Sequence, residues 1–114
     1  ASVLYLFKEP VLGGTKLFRP RQNASATDLL VHDSSTLDPE AFSARYGLKP
    51  SYMTASNAYF EQTHEIAPKW NRLVVYDGMI FHSGDIQHPG RLSAEPKNGR
   101  LSLNGFFTGR LAPA

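Results

Sequence analysis

Cysteine is absent from this chain. Its absence excludes disulfides, thiolate nucleophiles and zinc–thiolate centres, and it fits an intracellular, cytoplasmic protein. A surplus of charge is missing as well: 12 basic against 10 acidic side chains leave a formal net charge of +2 over 114 residues. The longest basic cluster is Arg19-Pro20-Arg21, so no nucleic-acid surface is expected. No apolar run approaches the roughly 18 residues of a membrane span, and no signal peptide is visible; no membrane partner is expected. Initiator methionine and leader are lacking too. The chain opens directly in the strand-like run Ser2-Val3-Leu4-Tyr5-Leu6-Phe7, which gives it the look of a fragment. Without repeats, low-complexity tracts or linkers, residues 1–114 are expected to form one domain.

What is present suffices for a core: 41% of residues are hydrophobic and 11% aromatic. The stretch from Trp70 to Gly84 organises the rest. Leu73, Val74, Val75 and Tyr76 read as a strand, Asp77-Gly78 as a turn, and Met79 to Phe81 as a second apolar run. That run delivers His82 beside Ser83-Gly84. A histidine there either faces a cavity or bonds a neighbouring backbone carbonyl. Further on, Gly99 to Phe107 alternates: Leu101, Leu103 and Phe107 point one way, Arg100, Ser102, Asn104 and Phe106 the other. The polar face is either a solvated surface or a pocket in which a guanidinium forks onto a carboxylate and Ser102 adds a bond. In the second case His82 and Arg100 sit on neighbouring strands, as metal ligand and anion anchor.

Taken in order, strand 2–7 is followed by a Gly13-Gly14 bend and a strand from Thr15 to Arg19. Residues 20–36 are polar and rich in serine and threonine, hence mainly loop. Asp38, Pro39 and Glu40 open a helix that runs to Tyr46 and is capped by Gly47. A short helix is expected over 54–62, a strand over 63–67, a long loop over 84–99 and a frayed tail at 111–114. The fold class is therefore mainly β. A jelly-roll or cupin-like barrel (a double-stranded β-helix) is expected, with one or two short helices in an insert at 20–58. Five or six strands are fewer than the eight that fold needs, so the others are expected before Ala1.

Three segments together carry a resemblance: Ser2–Phe7 with Gly13-Gly14-Thr15-Lys16-Leu17-Phe18-Arg19, then Asn71–Tyr76 with His82-Ser83-Gly84, then Gly99-Arg100-Leu101-Ser102. In that order they resemble the later part of a 2-oxoglutarate- and iron(II)-dependent oxygenase, closest to prolyl-hydroxylase-like members including uncharacterised bacterial ones. The resemblance implies oxidation of a small-molecule or peptide substrate, with Fe(II) as cofactor and 2-oxoglutarate as cosubstrate. It implies that His82 is a metal ligand, that Arg100 and Ser102 hold the distal carboxylate of 2-oxoglutarate, and that Tyr5 lines the cosubstrate pocket. The family binds iron with two histidines and one carboxylate. Its first pair, His-x-Asp or His-x-Glu, is expected upstream of Ala1, since neither His32-Asp33 nor His64-Glu65 has the right spacing.

Arg91-Leu92-Ser93 repeats the tripeptide Arg100-Leu101-Ser102. Arg91 runs into a proline- and glycine-rich turn region that suits no central strand, so Arg100 is the expected anchor. Asp85 and His88 read as loop residues, Asp85 as a solvated carboxylate. Trp70 and Tyr76 read as packing. Two other classes stay open: a jelly-roll binding module without redox chemistry, and a structural fragment whose polar strand face meets a partner.

Overall fold

Two glycines dictate how the first two strands part company. Strand β1 (Ser2–Tyr5) leads into a 3-10 turn over Pro10–Leu12, then Gly13 and Gly14, then strand β2 (Thr15–Pro20). Gly13 has φ +84° and ψ 148°, a conformation reserved for residues without a Cβ. A Cβ on Gly13 would lie 1.8 Å from the carbonyl oxygen of Asp85, and one on Gly14 would lie 1.9 Å from that of Ile66. The bend therefore threads between two other backbone segments, and β1 and β2 enter different sheets instead of forming a hairpin.

The structure, a computed structural model, describes residues 1–112. After β2 come helices α1 (Ala24–Thr36) and α2 (Pro39–Tyr46), then β3 (Phe60–Ile66), β4 (Leu73–Val75), β5 (Phe81–Gly84) and β6 (Ser102–Gly105). They form two antiparallel three-stranded sheets, ordered β4-β1-β6 and β3-β2-β5. The chain is thus mainly β with two helices. One core, Val3, Tyr5, Phe7 and Leu12, fills the space between the sheets, with Ile66, Val74 and Tyr76 packed on it. A second, Phe18, Leu30 and Phe60, joins the other face of β3-β2-β5 to the helices through Phe42, Tyr46 and Phe81. No helix among the described residues is long and apolar enough to cross a membrane.

Helix α2 has the expected bounds and caps. The Asp38 carboxylate accepts from the Ala41 amide at 2.8 Å, and Gly47 closes the helix in the left-handed region. Elsewhere the sequence expectations need correction. Residues 24–36 are helix, not loop: Asn23 caps the start by accepting from the Ala26 amide. The Ser34, Ser35 and Thr36 hydroxyls donate back to carbonyls three or four residues earlier. The stripe that α1 buries is Thr27, Leu30 and Asp33, and with two polar members it leaves almost no hydrophobic period. Asp33 survives burial because Tyr46 Oη and Arg45 Nη1 donate to its carboxylate.

No helix forms over 54–62. The Asn57 side chain accepts from the amides of Tyr59 and Phe60 and turns the chain into β3 instead. The strand expected at 73–76 forms as β4, at an edge of its sheet, with Leu73 and Val75 60% and 70% exposed. The strand expected from Gly99 begins at Ser102. Of the tail expected to fray, Pro113 and Ala114 lie outside the described residues.

Two stability predictions follow from local geometry. Gly13→Ala meets both a forbidden φ and a backbone clash, and it should cost more than about 3 kcal/mol. Gly47→Ala, also at positive φ but with nothing within 4 Å of the new Cβ, should cost only about 1–2 kcal/mol. Urea denaturation of both variants checks this, and equal losses would remove the clash from the account. The second concerns Asp33, whose carboxyl is held below the usual range first by the Tyr46 hydroxyl and then by Arg45. A depressed folded pKa stabilises above the unfolded value near 3.9 and is lost as pH falls through the folded value. Asp33→Asn should therefore weaken the fold at pH 7, with the deficit shrinking below about pH 4; a deficit unchanged at pH 3 would contradict this.

Candidate functional site

Alternation decides which side chains meet between the sheets. Val3 stands opposite Asn104 and Val74, and Tyr5 opposite Ser102, so these share the inward face of β4-β1-β6. On the other sheet Thr15 stands opposite Gly84, and Leu17 opposite His82. A cavity of about 180 Å³ opens between these faces. His82, Arg100, Ser102, Thr15, Tyr76 and Asn104 are among its lining residues. That volume corresponds to about six waters at ~30 Å³ each, the scale of a small organic acid rather than of the larger ligands that fill pockets of about 300 Å³ and more.

Arg100 is the best-held of these residues. Its Nε donates to the Gly13 carbonyl at 3.0 Å and its Nη2 to the Gly14 carbonyl at 2.7 Å. The guanidinium also lies 5.6 Å from the centre of the Phe7 ring. Two of its five N–H groups are thus spent on the fold. No other acceptor for it exists among the described residues, and no buried side-chain nitrogen among them lacks a partner. The end-on edge, Nη1 with the second Nη2 hydrogen, makes no hydrogen bond to the described residues and has the geometry to grip a carboxylate. Burial pulls the Arg100 guanidinium below its usual pKa, opposed by Tyr5, Tyr52 and Asp85. A partly desolvated cation of this kind favours an anion beside it.

His82 lies across the cavity from Arg100, not on a neighbouring strand: β5 and β6 belong to opposite sheets. Its Nδ1 is 2.7 Å from the Ile80 carbonyl. A carbonyl only accepts, so Nδ1 carries the hydrogen and, in the neutral ring, Nε2 keeps a lone pair. The ring is exposed and packs edge-on against Tyr76 with centroids 4.9 Å apart. Both alternatives for a histidine here are thus realised in one residue. Burial raises the pKa of the Tyr76 hydroxyl, with Tyr5 adding to it. Tyr5 is fully buried beneath the cavity, its hydroxyl 2.6 Å from Thr15 Oγ1.

The sequence reading passed over Thr15, whose only signal is its place directly after the two glycines on the same face as Leu17. It also misjudged Asp85, which is 8% exposed and paired with Lys16 at 3.2 Å. Lys16 Nζ donates in addition to the Thr54 carbonyl at 2.6 Å. The pair thereby pins the segment after α2 onto β2, beside the Gly-Gly bend. Arg91 sits in an exposed 3-10 turn, and neither it nor His88 lines the inter-sheet cavity.

An iron site needs more than is gathered here. Among the described residues no three of histidine, aspartate or glutamate form a metal-holding group, and His82 is the one imidazole on the cavity wall. These residues alone do not fit the iron that the resemblance implies.

Removing one member of the Lys16–Asp85 pair leaves a buried uncompensated charge. Lys16→Met should therefore lower stability by about 3–5 kcal/mol, measured by urea denaturation. A loss under about 1 kcal/mol would mean that water reaches Asp85.

No curated protein and no solved structure matches this chain. One family model does, over residues 1–107, and its description is "Family of unknown function (DUF6445)". The match spans nearly all of the sequence, and the chain belongs to that family.

Proposed function

We propose that the inter-sheet cavity binds the carboxylate of 2-oxoglutarate and that the protein is an oxygenase of the 2-oxoglutarate- and iron(II)-dependent kind. In this reading the two sheets are six strands of a jelly roll. The observation that carries it is convergence. His82, Arg100 and Ser102, read from the sequence as ligand, anchor and hydroxyl donor, line one cavity although they come from two different sheets. Arg100 grips the distal carboxylate end-on with the edge that the glycine carbonyls leave free. The hydroxyls of Ser102 and Thr15 supply further donors, and Tyr5 orients the Thr15 hydroxyl from beneath. His82 keeps a free Nε2 toward the cavity. The reading requires two more iron ligands from residues other than those described.

One observation favours a second reading. With a single imidazole and no carboxylate on the cavity wall, these residues by themselves make an anion-binding module without redox chemistry. Iron dependence separates the two: the oxygenase reading expects 2-oxoglutarate affinity to rise when Fe(II) is added.

Arg100→Lys keeps the charge but loses the planar fork, including its bonds to Gly13 and Gly14. It should weaken 2-oxoglutarate binding about ten- to a hundredfold, equivalent to losing one charge-assisted bond of about 1.5–3 kcal/mol. Arg91→Lys should change affinity less than twofold. Isothermal titration calorimetry, run well below each variant's unfolding temperature, gives both values. Equal effects of the two variants would remove Arg100 from the site, and absence of 2-oxoglutarate binding in the parent protein would end the proposal.

A further inference from the structure

A second concavity lies at the other end of β2. It measures about 480 Å³; Leu17, Met79 and Ile80 line it together with His64, and Phe18 and Phe81, whose rings belong to the helix-side core, border it. That size is within the ordinary range for small-molecule sites. Leu17 faces the same way as His82, which pairs with it from β5, and as His64, which pairs with it from β3. The bulge at Leu17/Phe18 leaves Thr63 out of the register with β2, its hydroxyl donating to the Leu17 carbonyl, and sets His64 in this row. Thr15, beside the Arg100 cavity, is two residues from Leu17, about 7 Å along the strand. The order along one sheet face is thus cation, His82, apolar groove. A ligand anchored at Arg100 and reaching past His82 arrives at Leu17.

The charge of the groove limits what it accepts. Its one permanent charge, Arg19, is already paired with Glu61 across the β2–β3 ladder. A charged group entering there would lose hydration with no free countercharge to meet it, whereas an apolar group gains by covering Leu17, Ile80 and Met79. The 460 Å³ cavity between the helices and residues 47–57 is larger than the Arg100 cavity, but it lies on the opposite face of the sheet, away from His82.

We infer that the groove beside His82 takes an uncharged aliphatic or aromatic group of the substrate, so that the substrate is an apolar molecule or carries an apolar side chain. The inference rests on the reading of the Arg100 cavity as the cosubstrate site, because that reading makes His82 the point where the two ligands meet.

The test uses indole and cyclohexanol as probes, titrated into isotope-labelled protein and followed by NMR. The expected result is saturable shifts at Leu17, Met79 and Ile80 and at the His82 ring. Met79 is 88% exposed, so Met79→Glu should fold normally, and it should weaken probe binding more than tenfold while leaving 2-oxoglutarate affinity within twofold. Shifts confined to Leu30, Phe42 and Met53 would overturn the inference, as would a probe affinity indifferent to Met79→Glu. A parallel titration with 2-oxoglutarate, read at Arg100 and Ser102, keeps the two ideas apart. Probe binding at the groove without any 2-oxoglutarate response fails the cosubstrate reading, and with it the assignment of the groove to a substrate. A 2-oxoglutarate response without probe binding fails the groove alone.

Discussion

The clasp of Arg100 on the carbonyls of Gly13 and Gly14 is the interaction on which the arrangement depends. It ties the approach to β6 in one sheet to the bend that starts β2 in the other. Besides it, the sheets share the apolar contacts of one small core, the hydroxyl pair of Tyr5 and Thr15 and the ring contact of Tyr76 with His82. The clasp needs carbonyls that point outward from a very tight bend, and only glycine lets the bend pass between Ile66 and Asp85. The same guanidinium thus serves the fold with one edge and offers the other to the cavity. One side chain thus joins the two sheets and lines the space between them.

Legibility in the sequence followed how local each determinant is. Helix α2 was readable to the residue because Asp38, Pro39 and Gly47 act within their own turn. The alternation of Arg100, Ser102 and Asn104 was readable because a strand's period is fixed by its backbone. Helix α1 was hidden, since its buried stripe includes Thr27 and Asp33, and Asp33 is made tolerable only by Arg45 and Tyr46 on the next helix. Asp85 misled for the same reason. Its countercharge, Lys16, lies 69 positions earlier, and no local pattern announces a buried pair formed over that separation.

The candidate site divides along the same line. His82, Arg100 and Ser102 were identified from the residue types and their order, whereas their relation in space was misread. Neighbouring strands were expected; facing sheets are found. Facing sheets make the larger difference chemically, because they turn a row of polar side chains into one wall of a cleft whose other wall carries His82 and Thr15. Thr15 enters the site only through that geometry.

The sheet β4-β1-β6 turns Val3, Val74, Tyr5, Ser102 and Asn104 inward and its leucines outward: Leu73, Leu4 and Leu103 form a continuous row on the outer face, and Leu73 and Leu103 are more than half exposed. The sheet β3-β2-β5, in contrast, is covered on one face by helices and at the Thr15 end of the other by its companion. Stability is therefore unevenly shared. The edge strands β4 and β6 have three and four residues and one face in water, which favours their local opening. Backbone amides should exchange fastest along β4 and slowest along β2. The wall of the cavity that carries Ser102 and Asn104 is thus backed by water, whereas the wall that carries Thr15 and His82 is backed by the helices through Phe18 and Phe81.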